Sequence, residues 1–274
     1  MKQGLKNEKI KTYTVISVVT FVIIIILIGI YPSIYDRLCK NRIYDDLSDN
    51  MKQIMSANIR IIDVETHDDI KAYGSGASGV IIENKDQRYY ALTAAHVVED
   101  ESRGYIACIV NTPTYKEYRK KSGNSGYISN DEYYSMMPEI KVEYISDESD
   151  LAVVSFECDE NLIKVEVASD VPEKGDRIVC IGNPVDSEER FVESYGKIKS
   201  NLVEFIADKK TDTVLKHSAY IAPGSSGGAV YNENMKIAGI NVGGGTDSFG
   251  RFKYGVMIPA EQIAEFIEEW HRIN

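Results

Sequence analysis

The 274-residue sequence has little cysteine, only four histidines, one tryptophan and no excess of basic residues. Its four cysteines are too few for a disulfide scaffold, and no two of them have the Cys-x-x-Cys spacing typical of a zinc site. We therefore expect neither a metal nor any other cofactor. The histidines are also few enough to be considered one by one: His67, His96, His217 and His271.

Basic residues are scarce everywhere except at the start of the chain. Residues 1–40 hold six of the 31 Lys and Arg residues and only two of the 42 Asp and Glu residues. Residues 41–274 therefore hold 25 basic and 40 acidic residues, a formal charge of −15. A body with this charge repels phosphate backbones, so we expect no nucleic-acid partner.

Long helical patterns are missing between the strand-like segments, which argues against a parallel α/β sheet. From about residue 55, short β-branched runs separated by Gly, Asn, Asp and Pro predict strands. The clearest helix comes last, with Pro259 in its first turn and apolar residues at helical spacing (Ile263, Phe266, Ile267, Trp270 and Ile273). The predicted strands are 58–65, 78–83, 89–95, 105–110, 151–156, 177–182, 236–242 and 254–258.

One long apolar run precedes this body. Residues 13–31 carry no charge and, as a helix, would span about 28 Å, close to the thickness of a hydrocarbon core. The positive charge of residues 1–12 predicts a cytoplasmic N-terminus and a body outside the cell membrane, with 32–54 as a stalk. A cleaved signal peptide is the alternative, although no Ala-x-Ala site follows the run.

Three short motifs carry chemistry-bearing side chains. His96 ends the strand-like segment Leu-Thr-Ala-Ala-His, Asp150 immediately precedes the buried strand Leu-Ala-Val-Val, and Ser226 lies in Pro-Gly-Ser-Ser-Gly-Gly. Each motif alone is more typical of a structural histidine, a turn or a loop. Together they supply the nucleophile, the base and the orienting acid of serine catalysis, so the combination is much less typical of coincidence.

A serine hydroxyl attacks a carbonyl efficiently only when a base removes its proton. His96 is the best candidate for that base, with Asp150 fixing the imidazole tautomer. The backbone N–H groups of Gly224 and Ser226 are the candidate donors to the resulting oxyanion. An α/β-hydrolase is the nearest alternative enzyme, but it needs the chain order Ser, acid, His. Only one histidine, His271, follows Ser226, so the sequence does not favour this alternative.

These motifs resemble the signatures of chymotrypsin-fold serine proteases, especially the bacterial HtrA/Deg-like group. The segments Gly74–Ile82, Ile181–Pro184, Ala238–Asn241 and Gly255–Pro259 are similar to barrel segments of the same group. The resemblance implies an all-β fold of two antiparallel six-stranded barrels with a C-terminal helix, preceded by the membrane helix. We place the first barrel at 55–160 and the second, with the final helix, at 161–274.

The sequence also departs from that group. His96 and Asp150 are 54 positions apart, and the excess length falls in the tyrosine-containing segment 111–138, either a solvated loop or a lid. We expect a protein without the peptide-binding PDZ domain that is common in the group, so PDZ-dependent regulation does not carry over.

The predicted function is a membrane-anchored serine endopeptidase whose partners are polypeptide substrates; the sequence allows a homo-oligomer without indicating one. A catalytically silent, membrane-tethered peptide-binding module is the alternative. No aspartate stands six positions before Ser226, so we expect a largely apolar primary pocket. The residues expected to line it are Tyr220, Ile221, Ala222, Val242 and Gly243.

Overall fold

A computed structural model describes residues 54–68, 70–121, 128–185, 189–207 and 210–273. The predicted membrane span at 13–31 lies outside these ranges. Within them, no helix is long and apolar enough to cross a membrane.

The first seven strands close into a barrel. They are β1 (Asn58–His67), β2 (Ile70–Tyr73), β3 (Ala77–Lys85), β4 (Arg88–Thr93), β5 (Gly104–Cys108), β6 (Glu139–Ile145) and β7 (Ala152–Glu157). The antiparallel order is β2-β1-β3-β4-β7-β6-β5, and β1 also pairs with β5 at the other end, with Ile61 opposite Ala107. Six strands therefore form the ring, and β2 extends β1 as a hairpin.

The last seven strands form the second barrel. They are β8 (Arg177–Gly182), β9 (Val192–Lys197), β10 (Val203–Ala207), β11 (Lys210–His217), β12 (Ala229–Tyr231), β13 (Ile237–Thr246) and β14 (Phe252–Pro259). Their order is β10-β11-β14-β13-β12-β8-β9. A bridge between Ile198 and His217 joins the end of β9 to β11, so again six strands close and one extends.

Sequence reasoning predicted eight of these strands and missed six. The missed strands are β2, β6, β9, β10, β11 and β12; β2, β6 and β10 carry Lys or Glu at exposed positions, and β12 has only three residues. Such strands lack the continuous β-branched runs that mark a strand buried on both faces. The all-β architecture of two antiparallel barrels is nevertheless as predicted.

The final helix connects the second barrel to the first. Helix α4 (Ala260–Ile273) begins directly after β14, and Trp270 packs on Tyr90 of β4 with ring centroids 5.3 Å apart. Phe266 stacks on Tyr144 of β6 at 5.4 Å. Two details of the predicted helix were wrong: Pro259 is the last residue of β14 rather than part of the first turn, and Ile273 is exposed.

Buried polar bonds also join the barrels. Tyr231 of β12 is completely buried and donates its hydroxyl to Asn58 Oδ1 of β1 at 2.9 Å. The connecting segment 158–176 crosses between them, and Val165 N–H bonds to Ile81 O at 3.0 Å. These contacts set the relative position of the two halves, which matters because the candidate site residues come from both.

The inserted segment packs on the first barrel. It contains two short helices, α2 (Tyr115–Lys121) and α3 (Asn130–Tyr134), here numbered after the single turn α1 (Ala95–Val98). Tyr133 is buried against Ile62, Val64, Ile106, Cys108 and Met137. The ring of Tyr134 stacks on Tyr73 with centroids 4.2 Å apart. The described part of the insertion is therefore anchored to the barrel and is not a solvated loop.

The described cysteines are free thiols. Cys108 lies in the core under the insertion and Cys180 lies inside the second barrel, so these two buried thiols are not paired with each other. Burial raises the pKa of Cys180 to about 12, which keeps this thiol protonated and unreactive.

A buried histidine makes stability depend on pH. His217 is completely buried, and its Nε2 lies 2.9 Å from Asn241 Oδ1. Burial lowers the His217 pKa from 6.5 to about 4, although the Asn241 hydrogen bond opposes the shift. Between these two values the unfolded chain binds a proton that the folded chain does not. The contribution of neutral His217 to the free energy of unfolding is therefore fully present above about pH 6.5, and it is lost as the pH falls toward 4.

We expect urea unfolding at pH 7 and pH 4.5 to show this loss, at most about 3 kcal/mol from this group. His217→Gln removes the titrating ring and should flatten the pH dependence. An unchanged pH dependence in His217→Gln would show that other groups cause the loss.

Candidate active site

His96 lies on a single helical turn at the end of β4. Thr93, the last residue of that strand, donates its hydroxyl to Ser78 O at 2.8 Å and fixes where the strand ends. Ala94 and Ala95 are completely buried, so the chain turns here against the barrel without a side chain in the way. The His96 ring, by contrast, is about one-third exposed. The local sequence thus presents an imidazole at the edge of a rigid barrel.

Asp150 binds His96 through both carboxylate oxygens. Oδ2 lies 2.7 Å from His96 Nδ1, and Oδ1 accepts the His96 backbone N–H at 2.9 Å. The Asp150 side chain is only 9% exposed, so these bonds are shielded from water. A carboxylate at Nδ1 requires the proton there and leaves the lone pair on Nε2. The geometry therefore sets both the tautomer and the ring orientation.

The neighbouring acids Asp147 and Glu148 are exposed, and only Asp150 of this group points inward. Ser146 shapes the turn by accepting the N–H groups of Glu148 and Ser149 at 3.2 and 3.0 Å. The Asp150 N–H lies 3.3–3.4 Å from the carboxylate of buried Asp212 on β11. The second barrel thus contacts the backbone that carries Asp150.

Ser226 lies in a tight turn that only glycine permits at two positions. Gly224 and Gly227 have φ of +93° and +79°, where other residues are strained. A Cβ at Gly227 would lie 2.1 Å from Ser78 O, and one at Gly224 would lie 2.4 Å from Asn183 O. Ser225 is buried under this turn, whereas Ser226 is partly exposed. Of the two serines, Ser226 is the accessible one.

Two carbonyls of this turn are held away from the Ser226 side chain. Pro223 O accepts the Val185 N–H at 2.8 Å, and Ser225 O accepts the Gly228 N–H at 3.0 Å. Because each peptide is planar and trans, the N–H groups of Gly224 and Ser226 point in the opposite directions. Among the described residues, neither N–H donates to a protein acceptor. Both are thus available to an incoming oxygen.

Ser78 of β3 connects the turn to the rest of the protein. Its hydroxyl donates to Gly224 O at 2.8 Å and accepts from Asn183 N and Nδ2 at 2.9 and 3.1 Å. Its backbone N–H also bonds to Ser226 O at 2.9 Å. Ser78 is 1% exposed, and its hydroxyl makes every hydrogen bond of which it is capable.

His96, Gly224 and Ser226 line one cavity of about 450 Å³ between the barrels. Its lining includes the apolar side chains of Ile61, Ala77, Val97 and Tyr105 and the charged side chains of Asp63, Asp100 and Arg103. Arg103 is paired with both of these aspartates and lies near Glu65. Residues from both barrels therefore meet at an open, partly apolar cleft with an imidazole and a hydroxyl on its edge.

This arrangement agrees with a comparison against protein families, in which residues 77–240 match the trypsin-like peptidase domain. The match covers more than half of the chain and includes His96, Asp150 and Ser226. The chain belongs to the trypsin-like peptidase family. It is a serine protease of the chymotrypsin fold, as the resemblance of its motifs indicated.

The residues expected to line the primary pocket of this trypsin-like peptidase lie outside that cavity. Ile221 approaches Gly244 of β13, where a Cβ would lie 3.3 Å from Ile221 Cδ1. Tyr220 is exposed and makes an edge contact with Phe252 at 5.2 Å. Ala222 is half-buried, Val242 is buried, and Gly243 lies beside Phe205. The assignment of these residues to substrate binding stays a prediction.

Sequence reasoning missed the residues that hold the site in place. Ser78 and Asn183 lie in segments that were recognised only as parts of barrels, and Asp212 and Val185 carried no signal. Ser78 contacts Asn183 across 105 positions and Gly224 across 146. No local pattern reports contacts at such separations; a run of small residues such as Gly-Ser-Gly-Ala-Ser-Gly shows only that backbones approach closely.

We expect Ser78→Ala to lower kcat/KM by roughly 10-fold or more, since Gly224 O and the Asn183 amide lose their shared partner and the turn is less well held. Stability should fall by about 1–3 kcal/mol because buried polar groups are left unpaired. Peptidase assays and urea unfolding measure the two effects. Ser155→Ala is the matched control, because it removes a buried hydroxyl that bonds Glu143 away from the cleft. Equal activity loss in both variants would contradict the assignment.

Proposed function

We propose that this protein is a membrane-anchored serine endopeptidase of the HtrA/Deg-like type that hydrolyses peptide bonds through Ser226, His96 and Asp150. The observation that carries the proposal is the paired bonding of Asp150 to His96 beside a cavity that Ser226 also lines. A role in protein quality control or the stress response is the expected biological setting.

In the proposed mechanism, Ser226 Oγ attacks the carbonyl carbon of the scissile bond while His96 Nε2 takes the hydroxyl proton. The tetrahedral intermediate collapses when the imidazolium gives that proton to the leaving amine, and an ester to Ser226 remains. A water molecule then attacks the ester with His96 again as the base, which releases the acid and restores Ser226.

Two features of the site lower the barrier in this scheme. The carboxylate of Asp150 stabilises the imidazolium that forms twice in each cycle, and its burial strengthens the attraction. The N–H groups of Gly224 and Ser226 bind the oxyanion, and loss of one such donor typically costs about 3–4 kcal/mol of transition-state stabilisation. The bonds to Pro223 O and Ser225 O hold these donors in place before substrate arrives.

A silent peptide-binding module remains the competing function. Such a module has no need of a buried carboxylate that holds the imidazole at two points, nor of two uncommitted N–H groups beside a serine. These features favour chemistry over binding alone.

We expect a fluorophosphonate probe to label the folded wild-type protein on Ser226, because the probe needs an activated serine and an oxyanion site. Ser226→Ala should abolish labelling, and His96→Ala should reduce peptidase activity by several orders of magnitude. Ser225→Ala is the matched control; its hydroxyl is buried one residue away, and labelling should persist. No labelling of a folded wild-type protein would instead support the binding module.

The anchor is proposed from residues 13–31, whose length and lack of charge suit a membrane span, with residues 1–12 in the cytoplasm. The protease body would then act outside the cell membrane. Cys39 would lie just beyond the span, in the stalk.

We expect the full-length protein to stay with membranes under alkaline extraction, and a variant without residues 1–31 to become soluble. On intact cells, a membrane-impermeant maleimide should label the wild type but not Cys39→Ser, because the other three thiols are buried or half-buried. Adding Lys2→Cys to that variant should restore labelling only after lysis. Labelling at position 2 on intact cells would show that the N-terminus lies outside the cell, opposite to the proposed orientation. A soluble full-length protein would rule out the anchor.

A further inference from the structure

The loop between β8 and β9 contacts both the Ser226 turn and the insertion. Its described residues are Asn183, Pro184 and Val185 at one end and Glu189, Arg190 and Phe191 at the other. Phe191 N–H bonds to Asn183 Oδ1 at 3.0 Å, which ties the two ends together. Whatever positions one end therefore also influences the other.

The first end touches the candidate oxyanion donors. Val185 N–H bonds to Pro223 O at 2.8 Å, and through the planar peptide it sets the direction of the Gly224 N–H. Asn183 also bonds to Ser78, which in turn binds Gly224 O. If this end moved, the Pro223–Gly224 peptide would lose the partner that fixes its orientation.

From the second end, the side chain of Arg190 reaches the other barrel. Arg190 Nη2 donates to Thr112 O at 2.5 Å, and Nη1 lies against Cys108 Sγ. Cys108 is buried at the end of β5, and Thr112 begins the insertion. The planar guanidinium is suited to bind two acceptors at once, which a lysine cannot reproduce.

The acceptors of Arg190 are themselves firmly placed. Thr112 N–H bonds to Ile109 O at 3.0 Å, and the buried Tyr133 donates its hydroxyl to neighbouring Pro113 O at 2.7 Å. The start of the insertion therefore holds an acceptor for Arg190 in a fixed position. It can do so because the insertion packs on the first barrel.

Next to Arg190, the backbone is strained. Phe191 has φ of +57°, a left-handed conformation that a bulky aromatic side chain rarely adopts, and the side chain is buried. Such a conformation persists only where surrounding contacts enforce it. The contacts around it include the Asn183 bond and those of Arg190, so loss of Arg190 favours relaxation of this residue.

We infer that Arg190 is a positioning residue: it ties the loop between β8 and β9 to the insertion and thereby keeps the Gly224 N–H directed toward the substrate carbonyl oxygen. This inference rests on the proposed function of the Ser226 site. It also assigns a purpose to the insertion, which acts as the anchor for a contact that crosses from one barrel to the other.

The test compares the wild type with Arg190→Gln and Arg190→Lys. If the Pro223–Gly224 peptide is correctly oriented in only a tenth of Arg190→Gln molecules, kcat falls about 10-fold. KM should change much less, since the cleft is untouched. The kcat of Arg190→Lys should lie between the values of the wild type and Arg190→Gln, because lysine keeps the charge but not the second contact. Arg88→Gln is the matched control; Arg88 pairs with Glu157 on the first barrel, away from the loop.

A peptide aldehyde separates positioning from general destabilisation. Its adduct with Ser226 places an oxygen where the oxyanion forms, so inhibition by the aldehyde should weaken by the same factor as kcat/KM. Binding of the corresponding product peptide should not change. Equal weakening of both ligands, or kcat within about 2-fold of wild type in folded Arg190→Gln, would overturn the inference.

Hydrogen exchange gives a readout that does not require activity. The Val185 amide should exchange faster in Arg190→Gln than in the wild type or in Arg88→Gln, because its bond to Pro223 O opens more often. Unchanged exchange at Val185 would refute the role of Arg190 even in a silent protein. Faster exchange in a protein that fluorophosphonate does not label would refute the proposed function while leaving the mechanical link intact.

Discussion

The hydroxyl of Ser78 is the point at which the two barrels and the candidate active site depend on one another. It belongs to β3 of the first barrel, yet all its side-chain partners, Gly224 and Asn183, belong to the second. A hydroxyl has one proton and two lone pairs, and here all three are used. In a buried, low-dielectric setting these bonds are strong, because water does not compete for the same donors and acceptors. The turn of Ser226 is thus set by the first barrel as much as by its own chain.

Both barrels contribute residues to the site as a whole. The first barrel carries His96 and Asp150 on short segments at strand ends, and the second carries Ser226 on a glycine turn. Contacts then run from each half to support the groups of the other: Asp212 accepts from the Asp150 backbone, and Ser78 supports Ser226. An error in docking the barrels would therefore disturb every part of the site together. This explains why polar bonds, which are directional, occur at an interface that apolar packing alone could close.

The fold and the three candidate side chains could be named from the sequence because their signals are local. Buried strands such as β7 and β8 read as continuous apolar runs, and the neighbourhoods of His96, Asp150 and Ser226 each occupy fewer than ten residues. The supporting residues could not be found in this way. Strand β9 carries Glu and Ser at half-buried positions, Arg190 reads as an ordinary surface charge, and Phe191 gives no hint of its left-handed backbone. The role of Arg190 arises only from contacts with residues 78 and 82 positions away along the chain.

Helix α4 has a consequence for how the cleft can respond to substrate. It begins directly after the last strand of the second barrel, and near its end Trp270 and Phe266 pack on tyrosines of the first. His271 adds a bond to Glu83 of the first barrel. A strut of this kind resists a hinge rotation that would widen the gap between the halves, since opening would peel aromatic rings from their partners. A cleft held in this way keeps nearly the same width whether or not a polypeptide occupies it, so any adjustment falls to the side chains and loops at its rim.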